Sequence, residues 1–150
     1  MKNIIAALLL ITATASYAAE LPQLPDSKMT PGAVDPAGTV DKICTVGYTA
    51  TVRNVPDSLK KQVFAEYNID PKSDKFEVDH LISLELGGSN DIKNLWPQSY
   101  TTTPWNAHKK DTLENKLHAL ICAKKLDMAT AQKDIATNWI EAYKKYVGSN

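Results

Sequence analysis

The stretch Glu77–Gln98, EVDHLISLELGGSNDIKNLWPQ, constrains the fold more than any other part of the chain. Phe76 and Val78 alternate with polar residues, the period of a half-buried strand, and the run ends in Asp79-His80. Gly87-Gly88 then permits a sharp change of direction. Leu95-Trp96 opens a second short apolar run that Pro97 stops. The pattern predicts strand, loop and strand, and it leaves a carboxylate and an imidazole at the end of the first strand.

The flanks carry further elements. Val46, Tyr48, Ala50 and Val52 alternate with Thr45, Gly47, Thr49, Thr51 and Arg53, which predicts a short N-terminal strand beginning near Cys44. Pro56 sits where a helix tolerates it, Leu59, Val63, Phe64 and Tyr67 give that helix one apolar face, and Asn68 to Pro71 ends it. Thr103 is expected to cap, and Pro104 to start, a helix running to about Ala123, with Leu113, Leu117, Leu120 and Ile121 on one face. His108, Asp111, Asn115 and Cys122 fall on the other side. A last helix, capped by Asp127 and ending near Tyr146, repeats Ile135, Trp139 and Tyr143 at spacings of four. The expected class is α+β, and 150 residues give room for one domain with one core.

The N-terminus reads as a processing signal. Lys2 precedes an apolar run from Ile4 to Ile11, and Ser16-Tyr17-Ala18 offers small residues for cleavage before Ala19. The run falls short of the roughly 20 apolar residues that a membrane span needs. Residues 1–18 are therefore expected to be removed, giving an exported protein, periplasmic or secreted, without membrane insertion. Residues 19–43, with Pro22, Pro25, Pro31 and Pro36, read as an extended lead-in, and residues 44–150 as the folded domain. In an oxidising compartment the only two cysteines, Cys44 and Cys122, are expected to pair as a disulfide.

Charge excludes a globally cationic protein. The whole chain has 17 basic and 17 acidic residues, and loss of Lys2 with the signal leaves one excess acid. Thr101 to Asn150 nevertheless holds eight basic against five acidic residues, so phosphate contacts are expected there. Lys109, Lys110 and Lys116 are the candidate nucleic-acid contacts, although exposed lysines are also ordinary helix decoration.

Taken together, Asp79-His80, Leu84, Gly87-Gly88 and Asn94-Leu95, with Asn94 fourteen positions after His80, resemble the HNH nuclease family and its ββα-metal fold. The likeness spans residues 75–123. The chain lacks the CxxC pairs of many members, and His108 lies farther beyond Asn94 than the family's second histidine usually does. The resemblance implies a metal-dependent endonuclease that hydrolyses DNA, or alternatively RNA, without sequence specificity. In that scheme His80 is the general base, Asn94 bonds across the loop and orients it, and Asp79 with His108 holds one divalent ion. That ion would be Mg²⁺ or Mn²⁺, with Zn²⁺ or Ni²⁺ as alternatives. Two other classes stay open at this point. One is a noncatalytic nucleic-acid or surface-binding module on the same scaffold, the other a disulfide-stabilised envelope protein. The sequence does not decide whether an immunity partner exists.

Overall fold

A computed structural model describes residues 23–148, so the expected signal peptide lies outside the described residues. Among the described residues there are five helices and one hairpin: α1 Val40–Ile43, α2 Tyr48–Val52, α3 Asp57–Glu66, β1 Phe76–His80, β2 Leu95–Ser99, α4 Ala107–Cys122 and α5 Met128–Tyr146. Single 3₁₀ turns at Leu84–Leu86 and Ile92–Asn94 shape the loop between the strands. The two strands pair antiparallel, with Val78 opposite Pro97, Asp79 opposite Trp96 and His80 opposite Leu95. This mixture of helices with a two-stranded antiparallel sheet is the α+β class expected.

The core explains the order of elements. Leu113, Leu117 and Ile121 form the buried stripe of α4 and pack with Ile135, Trp139 and Tyr143 of α5 and with Leu81, Leu86 and Trp96 of the hairpin region. Each such leucine contributes about 2 kcal/mol by leaving water. α3 lies against both strands and buries Val63 and Phe64. Asp127 caps α5 as expected, its carboxylate accepting from the Thr130 amide at 2.9 Å. α5 is not one smooth helix: Asn138 leaves helical geometry, and its side chain accepts from the amides of Ile140 and Glu141, capping the second half afresh.

Three expectations are corrected. The alternating segment holds the helix α2 over Tyr48–Val52 and no strand, because Gly47 takes a left-handed turn at φ +82° just before it, and Val46 stands fully in solvent. α4 begins after Asn106, whose side chain accepts from the Lys109 amide, rather than at Thr103-Pro104. Folded structure also starts well before Cys44. The described part of the lead-in includes α1, and its Thr30 hydroxyl donates to the Leu95 carbonyl at 2.9 Å, its Gly32 amide to the Lys93 carbonyl, and its Asp35 amide to the Gly87 carbonyl. These bonds tie the segment to β2 and to the loop between the strands, so it is part of the fold.

Cys44 and Cys122 form the expected disulfide, with Cα atoms 5.6 Å apart, tying the end of α1 to the end of α4. Among the described residues no helix is long and apolar enough to cross a membrane. Bridging 78 residues, the disulfide is expected to contribute about 4 kcal/mol by restricting the unfolded chain. Denaturant titration with and without reductant checks this, and coincident midpoints would contradict it.

Candidate active site

Strand geometry divides the motif between two faces. Successive side chains alternate, so Phe76, Val78 and His80 project to one side of β1 and Glu77 and Asp79 to the other.

On the second face Asp79 meets α4. The Lys110 ammonium reaches Asp79 Oδ2 at 2.7 Å and the His80 carbonyl at 2.7 Å, and it also pairs with the Glu114 carboxylate. Lys110 has no solvent exposure. Burial opposes its charge, but the carboxylates of Asp79 and Glu114 outweigh that cost and hold its pKa above the ordinary lysine value. Burial pushes the Glu114 carboxyl up, the ammonium draws it down, and the Asp79 charge adds to the rise. One cation is thus shared by two carboxylates. Nearby, the Tyr100 hydroxyl donates to Glu77 Oε2 at 3.0 Å, and burial followed by that bond pushes the phenol up to about 12. Burial and the Asp79 charge also raise Glu77 and Asp111.

The other face holds His80. Its Nε2 lies 3.0 Å from Asn90 Oδ1, while Asn90 Nδ2 donates to the Val52 carbonyl and Asn90 Oδ1 also accepts from the Asn54 amide. Those two backbone contacts fix which end of the Asn90 amide faces the ring. Nε2 must therefore carry the proton of the neutral ring, leaving the lone pair on Nδ1. Burial lowers the His80 pKa, outweighing the Asn90 bond and the Asp79 charge that raise it. The ring is a neutral, oriented imidazole near pH 7.

Asn94 is fully buried, and its side chain makes no hydrogen bond to His80. Its Oδ1 accepts from the Ile82 amide at 2.9 Å and its Nδ2 donates to the carbonyls of Ile82 and Ser89, both at 2.9 Å. It bonds across the loop as expected, but Asn90 is the residue that orients the ring. The glycines serve the same loop. A Cβ on Gly88 would lie 1.7 Å from the Ile82 carbonyl oxygen, and Gly87 holds φ at +77°.

The lysine expectations are corrected in part. Lys110 is buried at the centre of the Asp79 cluster, so it is not a surface contact for phosphate. Lys109 is half-buried, with its ammonium 5.3 Å from the Tyr143 ring centre, whereas Lys116 is exposed. His108 is exposed on the first turn of α4, its ring 5.9 Å from that of Tyr100. His118 sits by the disulfide, with Nε2 2.9 Å from the Ile43 carbonyl oxygen.

The donors expected for a divalent ion do not fit one as they stand. Asp79 already holds an ammonium. Among the described residues, the only three histidine, cysteine or carboxylate groups close enough to share an ion are Cys44, His118 and Cys122, and both sulfurs are in the disulfide. The buried polar atoms left unpaired opposite Asp79 and Glu77 include the Trp96 indole N–H and the Gln98 amide nitrogen, which donate and cannot ligate a cation.

Sequence reasoning missed Asn90, Lys110 as a buried cation, and Glu114. A signal for the last two existed. Positions 110, 113, 114, 117 and 121 form one helical stripe, so Lys110 and Glu114 lie in register with the leucines at i and i+4.

Two measurements test this geometry. Lys110→Met leaves the buried Glu114 and the half-buried Asp79 carboxylates without their cation and is expected to cost about 3 kcal/mol in urea unfolding. Lys110→Met with Glu114→Leu is expected to recover much of that loss, and equal destabilisation by both variants would refute the shared-cation account. For His80, the unfolded ring protonates first as pH falls through about 6.5. Stability therefore falls with pH from there until the folded ring protonates. An NMR titration is expected to place the His80 midpoint below that of a free histidine, and a midpoint at or above it would reject the assignment. No protein-family model matches the chain, and no curated protein or solved structure matches it either, so the functional argument rests on these residues alone.

Proposed function

We propose that this chain is an exported endonuclease of the HNH type that hydrolyses phosphodiester bonds of DNA or RNA without reading base sequence. The observation that carries the proposal is the state of His80: buried, neutral, and held by Asn90 with its lone pair on Nδ1. In this role Nδ1 takes a proton from water as the water oxygen bonds to phosphorus and the P–O3′ bond breaks. Asn94 keeps the loop after β1 in place and Asn90 keeps the ring from turning, so a single geometry is presented to the attacking water. The departing 3′ oxygen takes its proton from solvent, and the protonated ring returns the one it accepted. Asp79 is paired with Lys110, so the chain's own residues offer a divalent ion no free cage.

The same pairing favours a second reading, in which the scaffold binds nucleic acid without cutting it. Supercoiled plasmid and a labelled RNA, incubated with oxidised mature protein in Mg²⁺, Mn²⁺, Zn²⁺, Ni²⁺ or EDTA, separate the two. Cleavage in at least one arm, abolished by His80→Ala, is the expected result, and the EDTA arm reports whether an ion is required. Intact plasmid and RNA in every arm, from folded protein, would sink the nuclease proposal.

A further inference from the structure

We propose that nucleic-acid phosphate is gripped on the His80 side of the hairpin, in a cleft between α3 and β1, with Arg53 as the principal contact and Lys60 as the second. The inference deepens the nuclease proposal and rests on it for the choice of ligand.

The cleft has a volume of about 410 Å³ and is lined by Arg53, Val55, Lys60, Phe64, Phe76 and Val78. That volume lies within the roughly 300–1,000 Å³ of small-ligand sites. It suits one nucleotide unit of a single strand, not a duplex. Phe76 and Val78 belong to the strand face that also carries His80, so the apolar wall of the cleft leads along β1 to the ring. Glu77 is the one carboxylate at the margin, and it is engaged by Tyr100.

Arg53 is placed by the residues that place His80. The Val52 carbonyl on one side of it accepts from Asn90, the Asn54 amide on the other side donates to Asn90, and Asn90 holds the imidazole. The Arg53 side chain is exposed and makes no ion pair among the described residues. An exposed guanidinium without a partner presents its donor fork to a phosphate. Lys60 is held only by the exposed Asp57, at 3.2 Å. Of the α4 lysines, by contrast, Lys110 is buried and Lys109 rests on Tyr143. Phosphate held beside Arg53 would lie on the same side of the sheet as the base, which the Asp79 side would not allow.

The test is fluorescence anisotropy with short labelled single-stranded DNA and RNA of one sequence, in EDTA. Arg53→Gln is expected to weaken binding roughly tenfold, the worth of one charge-assisted contact. It should also flatten the salt dependence by about 0.7 in log–log slope. Lys60→Gln should weaken binding less, and Lys124→Gln, far from the cleft, not at all. Arg53 is exposed, so an unchanged melting temperature confirms that its variant is folded. Wild-type binding that Arg53→Gln leaves unchanged overturns the inference, as does loss of binding in Lys116→Gln alone, or no binding of either oligonucleotide by wild type. Parallel cleavage assays separate this inference from the nuclease proposal. Arg53-dependent binding with no cleavage by wild type keeps the cleft and removes the nuclease. Cleavage with unchanged kcat/KM in Arg53→Gln keeps the nuclease and removes the cleft.

Discussion

The Lys110 ammonium is taken wholly out of water at the point where α4 meets β1, and the arrangement of the motif follows from how its charge is satisfied. It binds the end of the first strand through Asp79 and the His80 carbonyl, and it binds its own helix through Glu114. Desolvating an ammonium costs several kcal/mol, recovered only when the surrounding oxygens are held in good geometry. The hairpin, the start of α4 and the leucine stripe below Lys110 are consequently locked in one register. A helix displaced by one turn would bury the ammonium against apolar side chains with no acceptor.

This lock separates two chemistries on one short strand. The Asp79 side is acidic, with one ammonium for two carboxylates, and the Trp96 and Gln98 nitrogens left unpaired there are donors. The His80 side carries an oriented neutral imidazole. Two residues adjacent in sequence, and easily taken as one catalytic pair, face different environments because the strand's alternation sends them apart. Asn90 and Asn94 divide the labour of the loop in the same way. Asn94 spends every polar atom on backbone groups, whereas Asn90 joins the segment after α2 to the ring.

Much of this was legible in the sequence. Phe76 and Val78 marked the first strand, Gly87-Gly88 the turn, Asp127 the last cap, and the two cysteines their bond. In each case a local rule and the tertiary structure agree. The failures have physical causes. The alternation at Val46–Arg53 fits a strand, yet a strand needs an edge to pair with, and here the polar groups of Val52 and Asn54 go to Asn90. Pro104 looked like a helix start, but Asn106 offers a side-chain acceptor to the Lys109 amide. Lys110 was read as surface because lysine usually is. Only its register with Leu113 and Leu117 argued otherwise. The role of Asn90 had no local signal, since it depends on a segment 36 to 38 residues away in sequence.

The extended N-terminal segment bears on how the chain reaches its final form. Ala33 and Asp35 exchange backbone bonds with the glycine loop, and the Gln23 carbonyl accepts from the indole of Trp139, 116 residues later. A chain synthesised from its N-terminus therefore cannot close the Ala33 and Asp35 bonds until residues 87–89 have followed, or the Gln23 bond until Trp139 has. Such distant closures are slow because the entropy of bringing the ends together is lost before any contact offsets it. The loop that bears Asn90 and Asn94 takes one further bond from the last helix, where Gln132 Nε2 donates to the Leu86 carbonyl at 2.7 Å. A half-made chain therefore lacks the completed site, and the protein matures late, as one unit.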